Sequence, residues 1–224
     1  MKKVLVGIYG AGGFGQEVMA LLNTQLDYIF PQVNLNNLEL CFIDDHINHE
    51  SVIGIQVLRF KDYLSKDSYD LYFNVAISDP IVRKKIANKF NNSRAKPLTI
   101  VFRDVTLIGN PNIGLGSLLM PNSIISNSVN VGSFTHINFG SYIAHDSKIG
   151  DYVTISPGVI CCGNTIIKNG AFIGAGATIK QGTFDNPRYI GDGSILGMGS
   201  NLVTNLPDYS AYAGNPASEI SLRN

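Results

Sequence analysis

From Ile113 onward an apolar residue returns at every sixth position: Ile113, Leu119, Ile125, Val131, Ile137, Ile143, Ile149, Ile155, Cys161, Ile167, Ile173 and Ile179. A helix repeats near 3.6 residues and a strand near 2, so neither accounts for a strict period of six. Ile, Leu and Val make up 60 of the 224 residues, yet they fill eleven of these twelve places, which composition alone does not produce. Four positions after each comes a small or apolar residue, from Ser117 and Ser123 through Thr135 and Ser141 to Ala177 and Thr183. A hexapeptide period of this kind predicts a β-helix, in which short strands wind around a prism and the aliphatic residues stack inside. The run breaks after Ile179 at "KQGTFDNPRY" and resumes out of phase at Ile190, Leu196 and Leu202, which predicts an external loop.

The front of the chain has a different pattern. Continuous apolar runs at 3–9, 38–44, 69–77 and 97–102 read as strands, and 15–23 and 81–90 read as helices. Asp79 followed by Pro80 supplies a side-chain acceptor and a residue lacking a donor at the second helix start. Strands alternating with helices imply a parallel sheet with right-handed crossovers. The expected organisation is therefore α/β + β: a Rossmann-like domain over 1–102 and a β-helical domain over 103–224.

Seventeen basic and seventeen acidic residues leave no net charge, and so no general attraction for nucleic acid or an acidic membrane surface. Apolar runs fall short of the roughly 20 residues a membrane helix needs. Three cysteines are too few and too unevenly spaced for a disulfide framework, and glycines interrupt the opening apolar run where a signal peptide would be continuous. These features predict a cytoplasmic protein.

"GAGGFG" places Gly10, Gly12, Gly13 and Gly15 between the first strand and the first helix, in the spacing G-x-G-x-x-G. Such a turn lets phosphate oxygens reach backbone amides at a helix N-terminus. A dinucleotide-binding dehydrogenase is the obvious alternative, but it needs two mononucleotide halves, and about 100 residues leave room for one. Asp44 and Asp45 of "FIDD" stand where a carboxylate can accept from a base or ribose. Ser78 and Arg83, around the third strand's end, are further candidates, with Arg83 as readily an exposed helix residue as a phosphate contact.

Taken together, "GAGGFG", "FIDD", the "HD" of His145 and Asp146 and the terminal "AGNPA" resemble the nucleotide-sugar acetyltransferases of the sialic-acid and bacillosamine acetyltransferase type. The resemblance spans nearly the whole chain. It implies a left-handed parallel β-helix with three hexads per triangular turn, a homotrimer with active sites between subunits, and acetyl-CoA as co-substrate. It implies His145 as general base, Asn138, seven residues earlier, as a substrate-binding residue and the backbone amide of Gly163 near the acetyl group, and it assigns the "FIDD" region to the nucleotide base. Many relatives carry a second histidine at the place of Thr154, and His136 is a candidate for part of that role. The terminal segment, here Asn215 and Pro216 with Ser218 in place of the usual lysine, implies contacts to coenzyme A. Gly176 and Lys180 lie on later turns, where the cofactor should run.

With eighteen residues per turn, positions eighteen apart stack at about 4.7–4.9 Å, placing His145 beneath Gly163 and His136 beneath Thr154. Acetyl transfer from a thioester needs a group that takes the proton of the attacking amine, and an imidazole titrates near neutrality. The developing oxyanion needs a fixed donor, which a glycine N–H supplies at close approach. Asp146 can orient His145 only at a corner or across a chain boundary, since neighbours in a strand point to opposite faces. The expected reaction is acetylation of the amino group of a nucleotide-linked 4-amino-4,6-dideoxyhexose in bacterial surface-glycan synthesis, with dTDP or UDP as the nucleotide favoured by the resemblance. Acetylation of a sugar hydroxyl and a non-catalytic scaffold are the alternatives. No metal is expected, because zinc catalysis on such a coil needs three histidine ligands and the coil holds only His136 and His145.

Overall fold

The computed structural model describes residues 2–46 and 48–221; residues 1, 47 and 222–224 of the two expected segments lie outside it. The chain opens with β1 (Lys3–Tyr9), α1 (Gly13–Thr24), α2 (Leu26–Ile29) and β2 (Leu38–Ile43), followed by a hairpin of β3 (Ser51–Val52) and β4 (Ile55–Leu58). Then come α3 (Phe60–Leu64), β5 (Tyr69–Val75), α4 (Pro80–Lys89) and β6 (Lys96–Pro97). The sheet order is β3-β4-β2-β1-β5-β6, parallel at every pairing but β3 with β4. Along β1, Val4, Val6 and Ile8 pack against Val18, Met19 and Leu22 of α1 and against Leu118 and Met120 of the second half. Leu5 and Tyr9 face Tyr63, Ile86 and Phe90 instead. Both faces of the sheet are covered, which is why its strands read as unbroken apolar runs.

The two expected helices are present with small shifts at their ends, and Asp79 caps α4 by accepting the Val82 N–H at 2.8 Å. Helices α2 and α3 and the β3–β4 hairpin escape periodicity because none is long enough to complete a repeat. The run 97–102, expected as one strand, divides in two. Lys96–Pro97 pairs with β5, whereas Ile100–Val101 pairs with Leu118–Leu119 and opens the coil. An apolar run carries no mark of where its hydrogen bonds change partner.

The coil winds through three parallel sheets. The first face runs from Ile100–Val101 through His136–Ile137 and Thr154–Ile155 to Ile195–Leu196 and Ala211–Gly214. The second carries Ile124–Ile125, Tyr142–Ile143, Ile160–Cys161 and Thr178–Ile179, and the third carries Asn130–Val131, Lys148–Ile149 and Thr165–Ile167. Rungs are eighteen residues apart until the predicted loop, twenty-three across it and sixteen after it. The sixth-position residues from Leu119 to Ile179 form one buried column. The small polar residues four places on are buried and satisfied: the hydroxyls of Ser117, Thr135 and Ser141 donate to the carbonyls of Gly132, Gly150 and Ser156 at 2.7, 2.7 and 2.9 Å. Thr183, the last of that series, lies exposed in the loop. Most corners turn on a left-handed residue, for example Gly140, Asp146 and Tyr152 within one turn, with φ of 65°, 58° and 58°.

The two halves meet at the first face. Arg83 of α4 is fully buried there and all three guanidinium nitrogens are engaged. They donate to the carbonyls of Ile77 and Ser78 on the front side and to those of Phe134, Tyr152 and Val153 on the coil, at 2.7–3.0 Å. A sixth bond goes to Thr154 Oγ1, whose own hydroxyl donates to the Ser78 carbonyl at 2.6 Å.

Candidate active site

The structure answers how His145 can reach Asp146. The left-handed backbone at Asp146 reverses the chain at the corner between the second and third faces, so both side chains point outward together. Nδ1 of His145 lies 2.8 Å from Oδ2 of Asp146. With the carboxylate ionised, Nδ1 carries the proton and Nε2 keeps its lone pair. The ring is about half exposed, so Nε2 is open to an incoming group.

Gly163 stacks directly over His145. A Cβ at Gly163 would sit 2.8 Å from Cε1 and 2.9 Å from Nε2 of the imidazole, so only glycine leaves the ring its position. The carbonyl of His145 accepts the N–H of Asn164, while the N–H of Gly163 donates to no group among the described residues. Imidazole, carboxylate and unclaimed N–H therefore share one corner. Cys161, one column inward, is held fully inside the coil, and burial pushes its thiol up to about 12, which leaves no thiolate for nucleophilic attack.

The other candidates of the coil border the same second face. Asn138 stands at its opposite corner, its Oδ1 accepting the Phe139 N–H at 3.0 Å. Gly176 lies two rungs above that corner with φ of 66°, and exposed Lys180 lies on the His145 side. Asn215 and Pro216 form the turn of a terminal hairpin, tied to the top of the second face by the Asn201–Asn215 contact at 3.3 Å. Between these edges the face exposes Ile124 and Ile160, 36% and 46% accessible.

Three expected ligand residues take a different part. Arg83 is neither exposed nor open to a phosphate, because its donors are spent on the seam between the halves. Thr154 is closed to a cofactor by Arg83 and by the Ser78 carbonyl, while Ser78 itself stays exposed beside the seam. His136 does stack beneath Thr154, but it is buried against Phe14 of α1, ring centroids 5.6 Å apart, and cannot reach the acetyl corner. Among the described residues neither ring nitrogen has a hydrogen-bond partner in good geometry, though the Val75 backbone favours its charged form. Burial, and then the nearby Arg83 charge, hold it well below the ordinary imidazole range.

At the glycine turn, Gly10 takes φ of 101° and donates to the Ile43 carbonyl at 2.9 Å. A Cβ at Gly15 would run into the Gly10 carbonyl oxygen, so glycine there permits close strand-to-helix packing. Gly12 and Gly13 face open space at the start of α1, whose cap has no side-chain acceptor. That leaves first-turn amides available to an anion. Both carboxylates of "FIDD" are engaged within the domain. Asp44 accepts the N–H groups of Ala11 and His46. Asp45 accepts from Tyr9, Lys89 and the Phe60 N–H; burial alone would raise its pKa, but these donors hold it down to about 2. Beside them a cleft of about 550 Å³ opens at the ends of β2 and β4, bordered by Arg59, Phe60, Asp62 and Lys89.

A second cleft of about 560 Å³, lined by Ile81, Lys84, Tyr152, Phe172 and Tyr209 among others, lies at the corner between the third and first faces and contains neither His145 nor Gly163. Chemistry ranks the small open corner above this larger, mostly apolar hollow, whose lining contains no histidine. Among the described residues no group of three or more His, Cys, Asp or Glu side chains is placed to hold a metal ion. No helix among them is long and apolar enough to cross a membrane.

Residues 6–90 match the PglD N-terminal domain family. The chain is 37% identical to a GDP-perosamine N-acetyltransferase from Escherichia coli O157:H7 over 96% of each sequence. Among solved structures it is similar to WeeI from Acinetobacter baumannii AYE, with a TM-score of 0.90 and 38% identity, covering 97% of this chain and 100% of that one. It is also similar to the acetyltransferase domain of PglB from Neisseria gonorrhoeae FA1090 in complex with acetyl coenzyme A, with a TM-score of 0.83 and 26% identity, covering 97% and 100%. The expected left-handed hand of the coil accords with these neighbours.

Proposed function

This chain belongs to the acetyl-CoA-dependent nucleotide-sugar N-acetyltransferases, and we propose that its acceptor is a GDP-linked 4-amino-4,6-dideoxyhexose used in surface-glycan (O-antigen) assembly. The nucleotide rests on the GDP-perosamine relative, 37% identical across the whole chain, and guanosine takes the place of the dTDP or UDP favoured from sequence. The site rests on one observation, the corner where His145, Asp146 and the free Gly163 N–H converge.

In this reading the sugar amine attacks the thioester carbonyl carbon while Nε2 of His145 takes its proton. A C–N bond forms, the C–S bond breaks, and the imidazolium returns the proton to the departing CoA thiolate. Asp146 favours the imidazolium, and the Gly163 N–H meets the charge gathering on the thioester oxygen. The first-turn amides at Gly12 and Gly13 receive the pyrophosphate, with the base in the cleft near Arg59. Gly10 and Gly15 shape that turn, and Asp44 and Asp45 brace it.

Asn138 and Gly176 stand across the second face from His145, so a single chain does not gather the whole set. A homotrimer that buries the apolar second face brings one copy's Asn138 edge to the next copy's His145 edge. Asn215, Pro216 and Lys180 then border the channel for coenzyme A.

The test is thiol release from acetyl-CoA with GDP-, dTDP- and UDP-linked 4-amino-4,6-dideoxyhexoses and their 4-hydroxy counterparts, with light scattering on the same samples. Turnover on the GDP-linked amine by a trimer is expected. Preference for a pyrimidine nucleotide overturns the acceptor, turnover on the hydroxyl overturns N-acetylation, and a monomer active at the same rate overturns the shared site.

A further inference from the structure

The loop at 181–187 leaves the coil at the reactive corner. The Gly182 N–H donates to the Gly163 carbonyl at 3.0 Å and the Arg188 N–H to the Asn164 carbonyl at 2.9 Å, so the insertion stands one rung above Gly163 and two above His145. It is a built turn rather than loose chain. The Thr183 N–H donates to the Asn186 carbonyl at 2.9 Å, and the Asn186 N–H donates back to Thr183 Oγ1 at 3.1 Å. At its tip Phe184 is 91% exposed, the most accessible of the large apolar side chains described. The turn holds this apolar ring in water at the edge of the reactive corner.

We propose that Phe184 is a donor-binding residue whose ring packs against the pantetheine arm of acetyl-CoA and holds the donor on the rungs above His145. The proposal rests on the reading of that corner as the acetyl-transfer site. The front domain packs on Ile100, Leu118 and His136, the first three rungs of the first face, so the acceptor's glycine turn lies at or below the level of His145 and the later rungs are left to the donor. Two rungs at about 4.8 Å place the loop root about 10 Å above the base. At that height the donor presents its arm, whose pantoate carries two methyl groups suited to a phenyl ring, while its phosphates extend toward Lys180, exposed at the loop's root.

The experiment combines calorimetric titration of CoA with initial rates from three donors: acetyl-CoA, acetyl-pantetheine, and S-acetyl-N-acetylcysteamine, which lacks the pantoate. Phe184→Ala is expected to weaken CoA binding and raise KM for the first two donors about tenfold, the size expected for losing one partly buried ring contact. KM for the sugar, kcat and the short donor's kcat/KM stay within about twofold, and Phe184→Leu recovers part of the loss. Unchanged CoA binding, an equal penalty on the short donor, or a loss traced to altered oligomeric state overturns the proposal, the last making the ring a contact between copies. His145→Ala separates the two readings: full turnover in that variant sinks the base while leaving the Phe184 binding result standing, and no CoA binding by the wild type sinks Phe184's role.

Discussion

His136 and His145 sit nine residues apart on one turn of the coil, and the protein treats them oppositely. His136 faces the front domain, is sealed beneath Phe14, has no bonded partner for either nitrogen and is kept neutral by burial. His145 stands at a corner, half in water, with a carboxylate on one nitrogen and open space at the other. The same side chain is packing in one place and, in the proposed reaction, the base in the other. What separates them is the corner: a strand residue can be covered by whatever docks on its face, whereas a corner residue with a left-handed neighbour is turned outward.

The strongest way to break that contrast is to remove the outward imidazole. His145→Ala is expected to lower turnover about 10²- to 10⁴-fold, the range for loss of a general base, while CoA still binds; steady-state thiol release beside calorimetry reads both. The seam next to His136 is a structural target instead. Arg83→Met strands five carbonyls and Thr154, and should cost about 3 kcal/mol or more in urea unfolding, with the front domain melting before the coil. Gly163→Ala pushes the imidazole aside with little change in fold, so kcat should fall about tenfold to a hundredfold while the unfolding midpoint holds. Asp146→Asn keeps the hydrogen-bond geometry but loses the charge that supports the imidazolium, and a kcat loss of about tenfold is expected in the same assay.

The smallest effect concerns pH. The native pKa of His136 is depressed, so above about 6.5 the imidazole is neutral in both folded and unfolded chains and stability does not depend on it. Below that value the unfolded chain takes up a proton that the fold refuses, and stability falls until the native pKa is reached. His136→Leu should flatten this limb of a pH series of urea curves. Asp45 acts in a lower window: its contribution is present above the ordinary carboxylate value near 3.9 and lost as pH falls toward about 2, so the limb that survives in His136→Leu belongs there.

The coil was legible because a six-residue period is a global constraint: each inward residue is fixed by the rung above and below, and Cys161 at an Ile place is buried like its neighbours. The glycine turn was legible for a similar reason, since backbone geometry at Gly10 and close packing at Gly15 leave no other residue type. The seam was not. Arg83 in "IVRKKIANKF" looks like any cation on an amphipathic helix, and nothing local says that Phe134 and Tyr152, some fifty and seventy positions on, will turn their carbonyls toward it. Thr154 was misread with it, because its hydroxyl satisfies a carbonyl of the other half as readily as it would a ligand. A buried arginine, pushed down to about 9 by its surroundings yet still charged at neutral pH, is visible only once both halves are in place.

The change from eighteen to twenty-three residues between rungs has a consequence for how such a protein can vary. Pairing stays parallel across the insertion, Ile167 still meeting Ile190 and Ile173 still meeting Leu196, so the extra chain spreads sideways and adds no height. The prism behaves as a ruler with graduations of about 4.8 Å that lateral embellishment leaves intact. New specificity can be sewn onto a corner without recalibrating the distance between nucleotide turn and base, whereas a single added graduation between them would reset it.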